Sequence, residues 1–133
     1  MASVAAIVYT ISDEKALSLF KAAGLSENNG SSIVIKKLKI NRKQFYSIMK
    51  KLIDAGLIER NNGKYRLTSF GKVVFSMVIK AESAVKNYWK LKAIDSIMIS
   101  EDRTEVSAEE YQLLIDKLID NQEIKAILVS NKN

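Results

Sequence analysis

Apolar residues recur at helical spacing along most of the chain, and in one short interval the period changes to two. Ala16, Leu17, Leu19, Phe20 and Ala23 make the first helical stripe. Ser12, with Asp13 and Glu14 after it, predicts an N-cap with acids in the first turn, and Gly24 predicts the stop. SENNGSS, residues 26–32, reads as a loop, and Ile33, Val34, Ile35 and Leu38 suggest a short second helix over 32–38. Asn41 with Gln44 three residues on resembles a capping box. It opens a helix over 42–54 whose inner face carries Phe45, Ile48, Met49, Leu52 and Ile53. Lys43, Ser47, Lys50 and Asp54 then lie opposite, Gln44, Tyr46 and Lys51 on the flanks, and Gly56 ends the element.

The period changes at GLIERNNGKYRLT, residues 56–68. Asn62-Gly63 between two short apolar-ended runs is a strong hairpin signal, because a type I′ corner needs positive φ at both positions. A two-residue corner sets Asn61 opposite Lys64, Arg60 opposite Tyr65, Glu59 opposite Arg66 and Ile58 opposite Leu67. Ile58 and Leu67 then anchor the base in the core. Arg60 and Tyr65 continue that face, and Glu59–Arg66 forms an exposed ion pair on the other.

Residues 69–100 make the longest periodic segment, about 45 Å long if one helix. Phe70, Val74, Met77, Ala81, Ala84, Tyr88 and Leu91 form its stripe, widened by Val78, Val85 and Trp89. EDRTE breaks the pattern. Ser107 and Glu110 predict a second capping box, followed by Tyr111, Leu114, Ile115, Leu118 and Ile119, then a bend at Asn121-Gln122 and a short last helix. The expected fold is mainly α with a small β-hairpin. Residues 12–72 make one compact domain, and residues 73–133 a long helix with further helices.

Charge changes this picture more than composition does. Residues 33–72 carry eleven bases against only Asp54 and Glu59, a net +9, whereas residues 95–133 carry nine acids and four bases, a net −5. Such segregation points to a polyanion-facing half. The chain has no cysteine and no histidine, which removes disulfides, thiol chemistry, Cys/His zinc sites and imidazole catalysis. No glycine-rich phosphate loop or believable pair of catalytic carboxylates is present, so neither an enzyme nor a cofactor or metal is expected. The opening MASVAAIVYTIS is apolar, but it is short and lacks a basic leader, so no signal peptide or membrane span is expected and the localisation reads as cytoplasmic.

The segment INRKQFYSIMKKLIDAGLIERNNGKYRLTSFGKVVF, residues 40–75, resembles the winged helix-turn-helix transcription regulators of the MarR and ArsR type, and looks closest to small archaeal members with a helical C-terminal extension. The marks are the apolar phase of Phe45 to Ile53, the run Ala55-Gly56-Leu57-Ile58, the hairpin with Tyr65 and Leu67, and Leu67-Thr68 followed by Gly71-Lys72. The resemblance implies that the helix over 42–54 enters the major groove and that the hairpin is the wing. Metal sensing and thiol-based oxidant sensing, known among relatives, do not carry over to a chain without Cys or His.

That reading makes Arg42, Lys43, Gln44, Tyr46, Ser47, Lys50 and Lys51 the helix candidates for contacting DNA, with Arg and Gln able to bond guanine and adenine edges in bidentate geometry. Arg60, Asn61, Asn62, Lys64 and Arg66 are the wing candidates, for phosphate or the minor groove. Lys36, Lys37 and Lys39 are further backbone candidates. Val85, Tyr88, Trp89, Leu91 and Ile94 are the candidate dimerisation residues, for a homodimer on a two-fold operator. The competing reading folds residues 107–129 back onto the long helix and leaves a monomer. A function of the same fold as a protein-binding module is the alternative to DNA binding. No effector follows from the residues, since a dimer core explains Tyr88 and Trp89 as well as an aromatic ligand does.

Overall fold

The computed structural model describes residues 3–25, 36, 38–100 and 107–130. Among them are seven helices and one two-stranded antiparallel sheet: α1 (Val4–Ile11), α2 (Glu14–Leu25), α3 (Arg42–Asp54), β1 (Ile58–Asn61), β2 (Lys64–Leu67), α4 (Ser69–Lys86), α5 (Tyr88–Ser100), α6 (Ala108–Leu118) and α7 (Gln122–Ser130). The chain divides into two compact units, Met1–Ser76 and Met77–Asn133, with α4 running from the first into the second.

In the first unit α2, α3 and the hairpin pack around Leu19, Phe20, Phe45, Leu52, Leu57 and Ile58, all buried. α3 is closed at both ends by local chemistry. At its start the capping box is complete: Asn41 Oδ1 accepts from the Gln44 N–H (2.7 Å) and Gln44 Oε1 accepts from the Asn41 N–H (3.0 Å). At its end the Gly56 N–H bonds the Ile53 carbonyl and the Leu57 N–H bonds the Leu52 carbonyl. This Schellman closure needs a left-handed residue, and Gly56 supplies it at φ 81°. The closure also brings Leu57 onto Leu52, and both are fully buried.

The hairpin has the register expected from its corner, Ile58↔Leu67 through Asn61↔Lys64, with φ 53° at Asn62 and 77° at Gly63. Its base is clasped by Thr68. The Thr68 N–H donates to the Leu57 carbonyl (3.1 Å), its hydroxyl donates to the Gly56 carbonyl, and the Gly71 N–H donates to that same hydroxyl oxygen (2.8 Å). The first turn of α4 therefore lies directly on the backbone of Leu57. A Cβ at Gly71 would overlap the Leu57 carbonyl oxygen, which is the physical content of the Leu-Thr-x-x-Gly pattern.

In the second unit Ile94, Ile115, Ile119 and Ile124 form a buried cluster, with Leu91, Met98 and Tyr111 packed against it. Ser107 caps α6 through the Glu110 N–H (3.1 Å), and Asn121 caps α7 through the Ile124 N–H (2.9 Å). Lys80–Glu123 and Lys125–Asp116 form ion pairs at 3.5 and 3.6 Å.

Four expectations change. The cap of α2 is Asp13, whose carboxylate accepts from the Ala16 N–H, while Ser12 closes the preceding α1 and its hydroxyl donates to the Tyr9 carbonyl. α2 runs through Gly24 to Leu25. Residues 69–100 are two helices rather than one, interrupted at Asn87, where the side-chain amide donates to the Ser83 carbonyl (2.8 Å) and the backbone N–H is shared between Ser83 and Ala84. Ile94 is only 3% exposed and lies in the core of its own chain, with Leu91 half-buried against it. The helix expected over 32–38 falls outside the described residues except at Lys36 and Leu38, both helical; the EDRTE break also lies outside them.

The clasp is testable through stability. Thr68→Val keeps the shape but strands a carbonyl and an N–H, so it should cost about 1–3 kcal/mol. Thr68→Ser, which retains the hydroxyl, should cost less than half as much. Urea unfolding midpoints measure both; equal losses would mean that the methyl group, not the hydroxyl, holds the clasp.

Candidate nucleic-acid interface

Helix α3 buries Phe45, Met49 and Leu52 and turns a polar, cationic face to solvent. Arg42, Lys43, Gln44, Tyr46, Ser47, Lys50 and Lys51 are all exposed, as are Arg60, Asn61, Asn62, Lys64 and Arg66 of the hairpin. Exposure does not make them equivalent, because several are already engaged.

The amide of Gln44 is committed to the cap. Bidentate reading of adenine needs the amide oxygen and nitrogen aimed together at the base edge, whereas here the oxygen is turned back to the Asn41 N–H. Lys50 pairs with Asp54 (2.9 Å) one turn on, an exposed i,i+4 bridge of little stabilising value. Arg66 pairs through Nε with Glu59 (2.7 Å) across the strands. Lys51 lies apart from the others on α3. With Tyr9, Thr10, Asp13, Ile48 and Asp54 it lines a concavity of about 810 Å3 bounded by α1, the start of α2 and α3. Arg42, Lys43, Arg60 and Lys64 have no ion-pair partner among the described residues. Lys36 and Lys39 are exposed, Lys39 with φ 57°, and Lys37 lies outside the described residues.

The hairpin meets α3 through aromatic rings. Tyr65, half-buried on β2, stands edge-on to Phe45 of α3 (centroids 5.8 Å apart, planes at 79°), and Phe45 stands edge-on to Tyr46 (5.2 Å, 80°). The Arg60 guanidinium lies over the Tyr65 ring, 5.4 Å from its centroid. Edge-to-face pairs contribute about 0.5–1.5 kcal/mol each beyond their burial, and an exposed cation–π contact about 0.5–1 kcal/mol. The sequence showed that Arg60 faces Tyr65. Nothing in it showed that Phe45, an ordinary core position by periodicity, is the ring on which Tyr65 rests.

Of the dimerisation candidates, Val85, Tyr88 and Trp89 are exposed, Trp89 at 76%, and the Tyr88 and Trp89 rings stand edge-to-face at 5.1 Å. Leu91 and Ile94 are turned into the second unit's core. Among the described residues, no helix is long and apolar enough to cross a membrane.

The engaged side chains separate by what their loss does to the fold. Asn41→Ala should lower stability by about 0.5–2 kcal/mol, the usual cost of an N-cap. Lys50→Ala should change it by less than about 0.5 kcal/mol. Thermal unfolding of the two variants checks this; a Lys50 variant as damaging as the Asn41 one would make the Lys50–Asp54 bridge structural.

No curated protein and no solved structure matches the chain. A family model does, over residues 20–95, and it is described simply as an archaeal family. The matched stretch takes in the second half of α2, then α3, the hairpin and α4, and ends within α5. It covers more than half of the chain, and the protein belongs to this archaeal family.

Proposed function

We propose that the protein is a non-enzymatic, sequence-specific regulator of transcription that binds double-stranded DNA through a winged helix-turn-helix of the MarR and ArsR type. α3 is the recognition helix, lying in the major groove. The β1–β2 hairpin is the wing, lying on the phosphate backbone or in the minor groove. The observation that carries this reading is the set of four exposed cations without an ion-pair partner among the described residues, Arg42, Lys43, Arg60 and Lys64, on a helix and a hairpin locked together through Phe45 and Tyr65. Unpaired like charges on one small unit weaken it by mutual repulsion, and a polyanion relieves that repulsion.

The division of labour follows from which groups are engaged. Arg42, Tyr46 and Ser47 are left to read base edges, with Gln44 held in the cap. Lys43, Arg60, Asn61, Asn62 and Lys64 position the backbone, and Lys50 and Arg66 contribute only after releasing their carboxylates. Lys51 belongs to the concavity beside α1 and is left out of the contact set.

The exposed Val85, Tyr88 and Trp89 support a homodimer through the second unit, reduced from the five residues expected to these three. Two recognition helices related by a two-fold axis suit half-sites about 34 Å apart. The same apolar trio is what favours the second reading, a winged-helix module for a protein partner.

Selection of bound duplexes from a random pool, followed by titration over a range of salt, tests the proposal. Three backbone cations, Lys43, Arg60 and Lys64, on each of two chains predict a log–log salt slope of about −5. Arg42→Ala should weaken the selected site by roughly 1–3 kcal/mol and relax base preference, whereas Lys64→Ala should weaken all sequences alike. Failure to bind any duplex at low salt rules out the DNA reading in favour of the protein-binding one. Sedimentation of Trp89→Glu should show monomer where the natural sequence shows dimer.

A further inference from the structure

The two arginines of the hairpin are held in place by chemically different partners. Arg66, on the face shared with Glu59, Asn61 and Lys64, is paired with the Glu59 carboxylate, with which any incoming anion must compete. Arg60, on the opposite face, lies over a neutral ring. A cation–π contact orders the guanidinium through the ring's quadrupole but leaves its positive charge and its N–H donors available. The ring in turn is fixed against Phe45, which is 2% exposed and belongs to α3.

We infer that Tyr65 is a positioning residue: it holds Arg60 as the pre-ordered phosphodiester-binding cation of the hairpin, while Arg66 is kept silent by Glu59. The inference rests on the DNA-binding reading above and deepens it. It assigns the wing's ionic contact to one arginine of two and makes a ring, not a charge, responsible for the difference. An unstacked arginine has several rotatable bonds to immobilise on binding, and a stacked one has already lost much of that freedom. Edge contact with Phe45 also fixes the direction in which the guanidinium is presented relative to the recognition helix. The wing and α3 then meet a duplex as one rigid surface.

The test is duplex binding by the full chain over a range of salt, at a temperature where circular dichroism shows every variant folded. Tyr65→Phe keeps the ring and should bind as the natural sequence does. Tyr65→Leu should lose about as much affinity as Arg60→Ala, roughly fivefold, with the slope shallower by about 0.9 per chain, the value of one phosphate contact. The double variant should lose no more than the weaker single, because both changes remove the same contact. Glu59→Gln, an exposed change, should strengthen binding and steepen the slope by about 0.9 per chain. Adding Arg66→Gln should abolish that gain. Losses that multiply in the Tyr65→Leu/Arg60→Ala pair, or a Tyr65→Phe variant as weak as Tyr65→Leu, overturn the inference and leave the DNA reading standing. A gain from Glu59→Gln that survives Arg66→Gln overturns the silencing of Arg66. If the natural sequence binds no duplex, both readings fall together.

Discussion

The geometry of the first unit depends on the contact between the backbone of Leu57 and the first turn of α4. Leu57 follows the glycine that closes α3 and precedes the first strand, so its carbonyl sits where the helix, the hairpin and the next helix meet. It accepts from Thr68, whose hydroxyl reaches the neighbouring carbonyl of Gly56 and receives the N–H of Gly71. Only a residue without a Cβ allows that approach at position 71. A two-stranded ribbon is marginal in water by itself. Here its base is pinned by the clasp and its inner face by Tyr65 on Phe45, so the tip is the part left exposed.

A rigid ribbon with an exposed cationic tip explains why charge matters more than its net value suggests. The eleven bases of residues 33–72 are not a uniform coat. Lys50 and Arg66 are engaged with carboxylates, Lys51 faces a concavity, and Arg60 is ordered by a ring that leaves its charge intact. Sorting cations by partner turns a diffuse basic segment into a short list of groups available to an anion. The same sorting applies to carbonyls: the Gln44 amide has the composition of an adenine reader, but its oxygen belongs to the cap. In the second unit it applies to apolar side chains, where Ile94 is core and Trp89 is not.

Much of this was legible in the sequence, where local chemistry decides the outcome. The Asn41–Gln44 box, the glycine stop at 56, the Asn-Gly corner with its register and the Asn121 bend each depend on residues within a few positions of one another. The misreadings have equally local causes. VAAIVYTI has no polar face, so periodicity could not announce α1, whose single buried residue is Ile7. Asp13 and Ser12 are both good caps, and only geometry distinguishes them. Asn87 looks like a tolerated polar residue in a long helix until its amide turns back onto Ser83. The division of the stripe between the chain's own core and an exposed trio, and the seat of Tyr65 on Phe45, are long-range contacts that spacing along one chain does not encode.

On the proposed reading, the exposed face of α3 and the hairpin tip form one surface that receives duplex DNA. The most direct measurement is a residue-by-residue amide chemical-shift map of the full chain titrated with a bound duplex. Residues 41–50 and 60–66 should shift together and saturate at one stoichiometry, with the α6 and α7 amides unmoved. Shifts confined to residues 107–130, or to the α1 concavity with α3 and the hairpin silent, would contradict it.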